Sequence, residues 1–227
     1  MKAFDLSAFK QLKSIVIGDD CFGNVSDTRI IGLNQLESVV VGKNSFTKHK
    51  NGSVNDKNSK FYLMNCSMIR ELKMGCFSFS SYCVCMIENV PSLEVIEMGK
   101  LSAESFNFYY ANFQLKNLPR LKTLLFGGKA FYQCATVSIT DMPELQSIKL
   151  GLNAMKYHGN DSYNCALVLS NLPKLTTLRT VENSYSFNSP YCVTLKDMPS
   201  LTDVYLPYGF RNRTNQSKQN IGALANY

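Results

Sequence analysis

The sequence predicts a mainly β fold, a solenoid of about eight turns with two short strands in each turn and little helix. Three observations predict it. A frame of eleven residues recurs along the chain, alternating apolar residues occur both inside and before it, and no copy shows helical periodicity over ten residues. Because each turn can bury its apolar positions only against its neighbours, such a repeat predicts one continuous stack.

The frame is clearest in three segments. Residues 89–99, 117–127 and 141–151 read NVPSLEVIEMG, NLPRLKTLLFG and DMPELQSIKLG, which share Asn or Asp, an apolar residue, Pro, and then Leu-x-x-apolar-x-apolar-Gly. Two later copies lose the glycine, and three earlier copies lack the proline. These five copies begin at Asn171 and Asp197, and at Ala8, Gly32 and Asn65. The sequence therefore contains eight copies, one for each predicted turn.

Each position of the frame has a physical reason. Proline fixes its own φ near about −65° and biases the preceding residue toward extended geometry, so Asn/Asp-apolar-Pro predicts a reproducible corner. The apolar residues two apart after it, such as Leu124 and Phe126, have the period of a half-buried strand. The following glycine tolerates positive φ and lets the backbone leave this first strand sharply.

A second alternation precedes each corner and predicts the second strand of each turn. Its inward pairs are Phe61 and Leu63, Cys85 and Ile87, Phe113 and Leu115, Val137 and Ile139, Leu167 and Leu169, and Val193 and Leu195. Between the two strands a small residue precedes a bulky one, which predicts a ladder of stacked core side chains. The predicted ladder consists of Phe22, Phe46, Phe79, Phe106, Phe131, Met155 and Tyr185.

Composition favours one folded unit. Apolar residues make up 45% of the chain and charged residues 18%, which excludes intrinsic disorder. We interpret residues 1–227 as a single repeat solenoid, with regular turns over about 9–210 and a polar C-terminal tail or cap over 211–227. No apolar run approaches the roughly 18 residues of a membrane span. The start lacks the apolar core of a secretory signal, which favours the cytoplasm, whereas the cell surface or secretion fits a fragment of a precursor.

Charge and cysteine usage narrow the classes of partner. The formal charge of +7 is moderate, and the aromatic residues are not interleaved with the lysine-rich stretch 43–60, so we do not expect a nucleic-acid partner. No pair among the eight cysteines has the spacing of a zinc knuckle. We therefore interpret the cysteines as small core residues and expect neither a metal nor another cofactor.

The repeat resembles a known family. The leading apolar residues of the turns lie about 24 to 33 residues apart, which matches leucine-rich repeats with loop insertions. The run Gly128-Lys129-Ala130-Phe131, followed by a Leu-x-x-[IL]-x-[IL] strand, resembles the BspA-like class of leucine-rich repeats over Leu12 to about Phe210. The resemblance implies a binding role, because members are often surface proteins of bacteria and protists that engage host or matrix proteins. The inserted second strand and the Asn/Asp-apolar-Pro corner depart from the shorter family repeat.

The predicted function is protein interaction or adhesion through exposed sheet faces, without catalysis. The candidate binding face on the first strands consists of Lys73, Glu97, Leu125, Lys149, Arg179 and Tyr205. On the second strands, Tyr62, Met64 and Met86 form a candidate apolar cluster. An alternative is a structural segment of a longer repeat protein. A remote alternative is a hydrolase with a Cys165 and His158 pair.

Overall fold

The computed structural model describes residues 2–49, 55–157, 165–188, 190–208 and 215–226. These residues form a β-solenoid of about eight turns, in which each turn contributes one strand to each of two parallel sheets. The predicted fold class is confirmed, and the helical content of the described residues is one short 3₁₀ helix, Gly222–Asn226.

The two sheets alternate along the chain. The nine-stranded sheet contains β1 (Lys2–Asp5), β3 (Val25–Ile31), β5 (Asp56–Met64), β7 (Tyr82–Glu88), β9 (Asn112–Lys116), β11 (Thr136–Thr140), β13 (Ala166–Ser170), β15 (Cys192–Lys196) and β17 (Asn215–Gln219). The eight-stranded sheet contains β2 (Ser14–Ile17), β4 (Ser38–Val41), β6 (Glu71–Met74), β8 (Val95–Met98), β10 (Thr123–Phe126), β12 (Ser147–Leu150), β14 (Thr177–Thr180) and β16 (Asp203–Tyr205). Each strand pairs only with the strands of the adjacent turns.

The core lies between the two sheets. Side chains alternate in burial along the strands, as the two-residue period predicts. In β10 the side chains of Leu124 and Phe126 are buried, and in β11 so are those of Val137 and Ile139. The six predicted inward pairs of the second strands are buried as well. Apolar burial on this scale is the main stabilising term of such a stack.

In six of the eight frame copies the corner depends on an Asn or Asp, and only the first copy, with Ala8 at this position, has no positive φ there. Asn89 and Asn117 both have φ of 55°, and the equivalent residue of the second frame copy, Gly32, has φ of 65°. Among residues with a side chain, Asn and Asp enter this left-handed region most readily, because their short polar side chains bond locally. Asn65, whose copy has no proline, also has φ of 55°. The backbone therefore turns with or without proline, and the Asn/Asp position is the more constant requirement.

A ninth copy of the corner occurs within the segment that the sequence suggested to be a polar tail or cap. Residues 220–224 read NIGAL, Asn220 has φ of 53°, and Leu224 donates its backbone N–H to the carbonyl oxygen of Ile221 at 3.1 Å. Leu224 is buried, and the 3₁₀ helix that contains it packs against β16. The described part of the tail thus continues both the nine-stranded sheet and the corner.

The aromatic ladder runs through the core, but the prediction that Phe106 belongs to it is wrong. Phe108 occupies the position, with its ring stacked 5.1 Å from Phe79 and 5.4 Å from Phe131. The turn contains two candidates, Phe106 and Phe108, and only the second is in line with the rings of both neighbouring turns. Ring stacking with the adjacent turns therefore decides which residue joins the ladder. The number of residues after the frame glycine does not decide it.

The same correction applies to Tyr185. This side chain is largely exposed, whereas Phe187, two residues later, is fully buried. Phe187 donates its backbone N–H to the carbonyl oxygen of Met155 at 3.1 Å, so it is bonded directly to the ladder residue of the preceding turn. The ladder residues are Phe22, Phe46, Phe79, Phe108, Phe131, Met155 and Phe187.

Five of the eight cysteines are buried core residues, as expected, whereas Cys21 and Cys83 are partly exposed and Cys192 is exposed. The buried thiols are those of Cys66, Cys76, Cys85, Cys134 and Cys165. Burial raises the pKa of the Cys85 thiol well above its usual range. Cys192 is exposed on the outward face of β15, so the prediction that it is a core residue is wrong. The thiol is aligned with Ala166 of β13, which also faces outward.

Candidate functional site

The six residues of the candidate binding face lie in one row across the eight-stranded sheet. Each occupies the same place on its strand, and parallel pairing sets each one beside the next. We call this row the outer row; its members are Lys73, Glu97, Leu125, Lys149, Arg179 and Tyr205. At about 4.8 Å between strands, the row is about 24 Å long. The sequence frame therefore identified a continuous surface feature.

The charged side chains are not evenly distributed along the outer row. Glu97 lies between Lys73 and Leu125, and Lys149 and Arg179 follow as two adjacent cations. Lys149 and Arg179 are exposed, and the other members are partly buried by their neighbours on the sheet. One half of the row thus carries opposite charges, and the other half has two adjacent cations, of which Arg179 is paired with Asp203.

Lys73, at the N-terminal end of the row, is held by an ion pair on its own strand. Its Nζ lies 2.6 Å from a carboxylate oxygen of Glu71. The hydrogen bond to Glu71 raises the pKa of Lys73 above its usual value. Because this pair is exposed, it orients the side chain more than it stabilises the fold.

Arg179 and Tyr205 form the most structured part of the row. The guanidinium carbon lies 5.4 Å from the centre of the Tyr205 ring, and Nη1 lies 2.6 Å from a carboxylate oxygen of Asp203. The ion pair and the cation–π contact fix the arginine over the tyrosine. This pairing offers a partner a planar cation, an aromatic surface and a hydroxyl within one small area.

The structure also brings together the residues of the candidate apolar cluster, which lies on the nine-stranded sheet. Tyr62 of β5 is aligned with Met86 of β7, and Met64 lies two residues further along β5. All three side chains are partly buried. The guanidinium carbon of Arg29 lies 5.9 Å from the Tyr62 ring, so the cation covers part of the cluster.

An aromatic ribbon on the edge of the solenoid was missed by the sequence analysis. It comprises Phe77, Phe106, Tyr109, Tyr132, Lys156, Tyr185 and Tyr208. Tyr109 and Tyr132 stack with centroids 5.1 Å apart, and partial burial raises the pKa of Tyr109 to about 12. The signal was present, because Tyr109, Tyr132 and Lys156 each directly follow a ladder residue. Stacked rings present their edges to solvent, so the ribbon offers few ring faces to a ligand.

Lys156 joins the two aromatic parts of the ribbon. Its Nζ lies 5.3 Å from the centre of the Tyr132 ring and 5.1 Å from that of Tyr185. Tyr185 in turn stacks on Tyr208 at 4.6 Å. The lysine therefore replaces a ring in the stack through cation–π contacts.

The structure describes only one member of the Cys165 and His158 pair. His158 lies outside the described residues, and Cys165 is buried in the core. Across the described parts of the chain, no three His, Cys, Asp or Glu side chains are grouped to hold a metal ion. Within the same residues, no helix is long and apolar enough to cross a membrane.

No protein-family model, curated protein or solved structure matches this chain. The architecture itself is that of a repeat β-solenoid, with one strand of each turn in each of two sheets. The features of this architecture that a partner could contact are the side chains that it presents to solvent.

Proposed function

We propose that this chain is a protein-binding module, related to the BspA-like leucine-rich repeats, and that it holds its partner on the outer row. The observation that carries the proposal is the alignment of six outward side chains of mixed chemistry in one row across six neighbouring strands. Solenoids commonly bind proteins on such regular faces, because the repeat gives a long surface on a rigid support. The proposed activity needs no catalysis and no cofactor.

The C-terminal part of the outer row would supply most of the affinity. Arginine and tyrosine are enriched among the residues that dominate protein interfaces, and Arg179 and Tyr205 are already held in contact at 5.4 Å. Little side-chain entropy is then lost on binding. Lys149 adds a second cation beside Arg179, which favours a partner with acidic groups at that position.

The chain offers a matched control for this proposal. Arg29 and Tyr62 on the nine-stranded sheet form the same kind of contact at 5.9 Å, and Arg29 is also paired with an aspartate, Asp27. The two Arg/Tyr pairs therefore have the same chemistry and lie on opposite sheets. Removing one pair or the other separates a specific face from a general effect of charge.

The experiment begins with photo-crosslinking from position 149 in extracts of the source cell, followed by affinity measurement with the captured protein. The variant Arg179→Ala/Tyr205→Ala should weaken binding at least about tenfold, which corresponds to about 1.4 kcal/mol. The control Arg29→Ala/Tyr62→Ala should bind as the unmodified chain does. Equal affinity of all three proteins, or an equal loss in both variants, would exclude the outer row as the binding face.

A further inference from the structure

A cavity of about 200 Å³ lies beside the outer row, where β4, β6 and β8 end. Lys73 and Glu97 of the row line it, together with Val40, which is aligned with Lys73 on β4. The cavity extends past the strand ends to the residues that follow the frame glycines. It therefore combines the face of the sheet with the edge of the solenoid.

In the part of the cavity beyond the strands, a small residue lies between two long ones. Lys43, Cys76 and Lys100 directly follow the frame glycines of three successive turns, and all three line the cavity. Cys76 is buried, whereas both lysines are exposed. Because strands of adjacent turns are about 4.8 Å apart, the backbones of Lys43 and Lys100 are separated by roughly 10 Å. A group bound over Cys76 would have one of these lysines on each side.

The charged groups of the cavity favour an anion. Three lysines and one glutamate line it, so their net formal charge is +2. Lys73 is already paired with Glu71 at 2.6 Å. Among the described residues no carboxylate forms an ion pair with Lys43 or Lys100. A carboxylate between these two ammonium groups would accept charge-assisted hydrogen bonds from them.

Apolar residues form another part of the wall. Val40 is half-buried on the outward face of β4, and Val41 and Met74 line the cavity at the ends of their strands. A dry cavity of about 150 Å³ holds a benzene ring, so this one accepts a short aliphatic or aromatic group. Apolar walls with a few convergent polar groups are typical of sites that orient a small ligand. Inorganic phosphate has no apolar part and would bring further negative charge toward Glu97.

We propose that this cavity binds a carboxylate carried on a small apolar group. Lys43 and Lys100 hold the carboxylate, and Val40 contacts the apolar part. Two sources have this chemistry: a polypeptide C-terminus whose last residue is apolar, and a free aliphatic acid. The site lies away from Arg179 and Tyr205, so the proposal does not depend on the protein partner proposed above.

The experiment titrates the full chain with four probes and follows binding by nuclear magnetic resonance. The probes are N-acetyl-glycyl-leucine, its C-terminal amide, 4-methylpentanoate and inorganic phosphate. The peptide acid should bind, and its amide should not, because the amide offers no charge to the two ammonium groups. Equal binding of 4-methylpentanoate would show that a free acid suffices, whereas binding of the peptide acid alone would identify a polypeptide terminus. Phosphate should bind at least about tenfold more weakly than the peptide acid.

Variants then test the two parts of the cavity separately. Lys43→Gln/Lys100→Gln should raise the Kd of the peptide acid at least about tenfold. The matched control is Lys116→Gln/Lys196→Gln, which removes two exposed lysines from the nine-stranded sheet and should bind as the unmodified chain does.

Filling the cavity gives the second comparison. Val40→Phe should block binding without any change of charge. Val168→Phe, at a half-buried outward position of the nine-stranded sheet, should not affect it. Circular dichroism of every variant checks that the fold is retained.

Four outcomes would overturn the proposal. They are no binding of either acid, equal binding of the peptide acid and its amide, phosphate binding as tight as that of the peptide acid, and equal effects of the cavity variants and their controls. None of these measurements involves a protein partner, so a failure here leaves the binding role of the outer row to its own test.

Discussion

At the scale of single residues, the Asn and Asp of the frame have two roles. They adopt the left-handed backbone conformation that turns the chain, and their side chains bond from one turn to the next. Asn117, with φ of 55°, donates from Nδ2 to Oδ1 of Asn89 at 2.7 Å. Asn171 donates in the same way to Asp141 at 2.8 Å. The corner residue is therefore selected both for its backbone conformation and for a polar ladder along the surface.

Replacing Asn117 separates the two roles. Asn117→Ala should lower the free energy of unfolding by about 1–2 kcal/mol, because alanine resists the left-handed region and the bond to Asn89 is lost. Asn117→Gly loses the same bond but adopts the conformation freely, so its loss should be smaller. Urea denaturation of both variants provides the measurement. A glycine variant less stable than the alanine variant would contradict the role given to backbone conformation.

At the scale of the element, glycine at the end of the first strand allows the turns to stack closely. A Cβ on Gly75 would lie 2.6 Å from the backbone nitrogen of Lys43 and 2.7 Å from the carbonyl carbon of Gly42. These are backbone atoms of the preceding turn, and they cannot move without opening the stack. A Cβ on Gly18, at the same frame position in the first turn, would meet nothing closer than 3.9 Å.

The pair of glycines gives a matched test of this packing. Gly75→Ala should lower the free energy of unfolding by about 1–3 kcal/mol, because the added methyl forces two turns apart. Gly18→Ala should change it by less than about 0.5 kcal/mol, since open space surrounds that position. Thermal and urea unfolding of the two variants can be compared directly. Equal effects would mean that the close approach of Gly75 to the preceding turn does not set the cost of the substitution.

Strands could be predicted from the sequence where its pattern allows a single assignment. The two-residue period and the common position of the prolines sufficed for the eight-stranded sheet, for β3 to β15 of the nine-stranded sheet and for the outer row. The ladder failed where the sequence offers two bulky residues, at Phe106 and Phe108 and at Tyr185 and Phe187, because contact with the adjacent turns makes the choice. Distance along the chain carries no information on that contact.

The aromatic ribbon and the ninth corner escaped prediction for related reasons. Tyr109 and Tyr132 adjoin buried rings and resemble further core residues until the outward direction of each is known. The corner at 220–224 lacks proline, which had been the most visible part of the frame. The buried rings and the prolines are the more conspicuous residues in the sequence. They do not indicate where the exposed rings of the ribbon or the ninth corner lie.

At the scale of the whole molecule, the stack is nearly one-dimensional. Strand pairing connects only adjacent turns, so a disturbance in one turn reaches distant turns only through the intervening ones. Stability should then be distributed along the axis in steps of one turn. The candidate site is distributed along the axis in the same way, because each of six turns contributes one residue to the outer row.

Hydrogen exchange can detect this distribution. Leu121→Ala removes a buried side chain from a central turn and should cost about 2–5 kcal/mol. Amide exchange should accelerate most in β10, less in β8 and β12, and little in β16, because contacts pass only between neighbours. The exposed change Gln114→Ala serves as the control and should leave exchange unaltered. Uniform acceleration from β2 to β16 would indicate a single cooperative unit instead.

Because strands pair only between adjacent turns, the gene for such a protein can change length by whole turns. Residues 117–140 hold one complete turn, from Asn117 through β10 and β11 to the residue before Asp141. Deleting or duplicating that block would bring equivalent surfaces together, since β8 and β12 each pair with β10 at equivalent positions. Unequal recombination between repeats would therefore shorten or lengthen the protein by whole turns, and the outer row would lose or gain one residue each time.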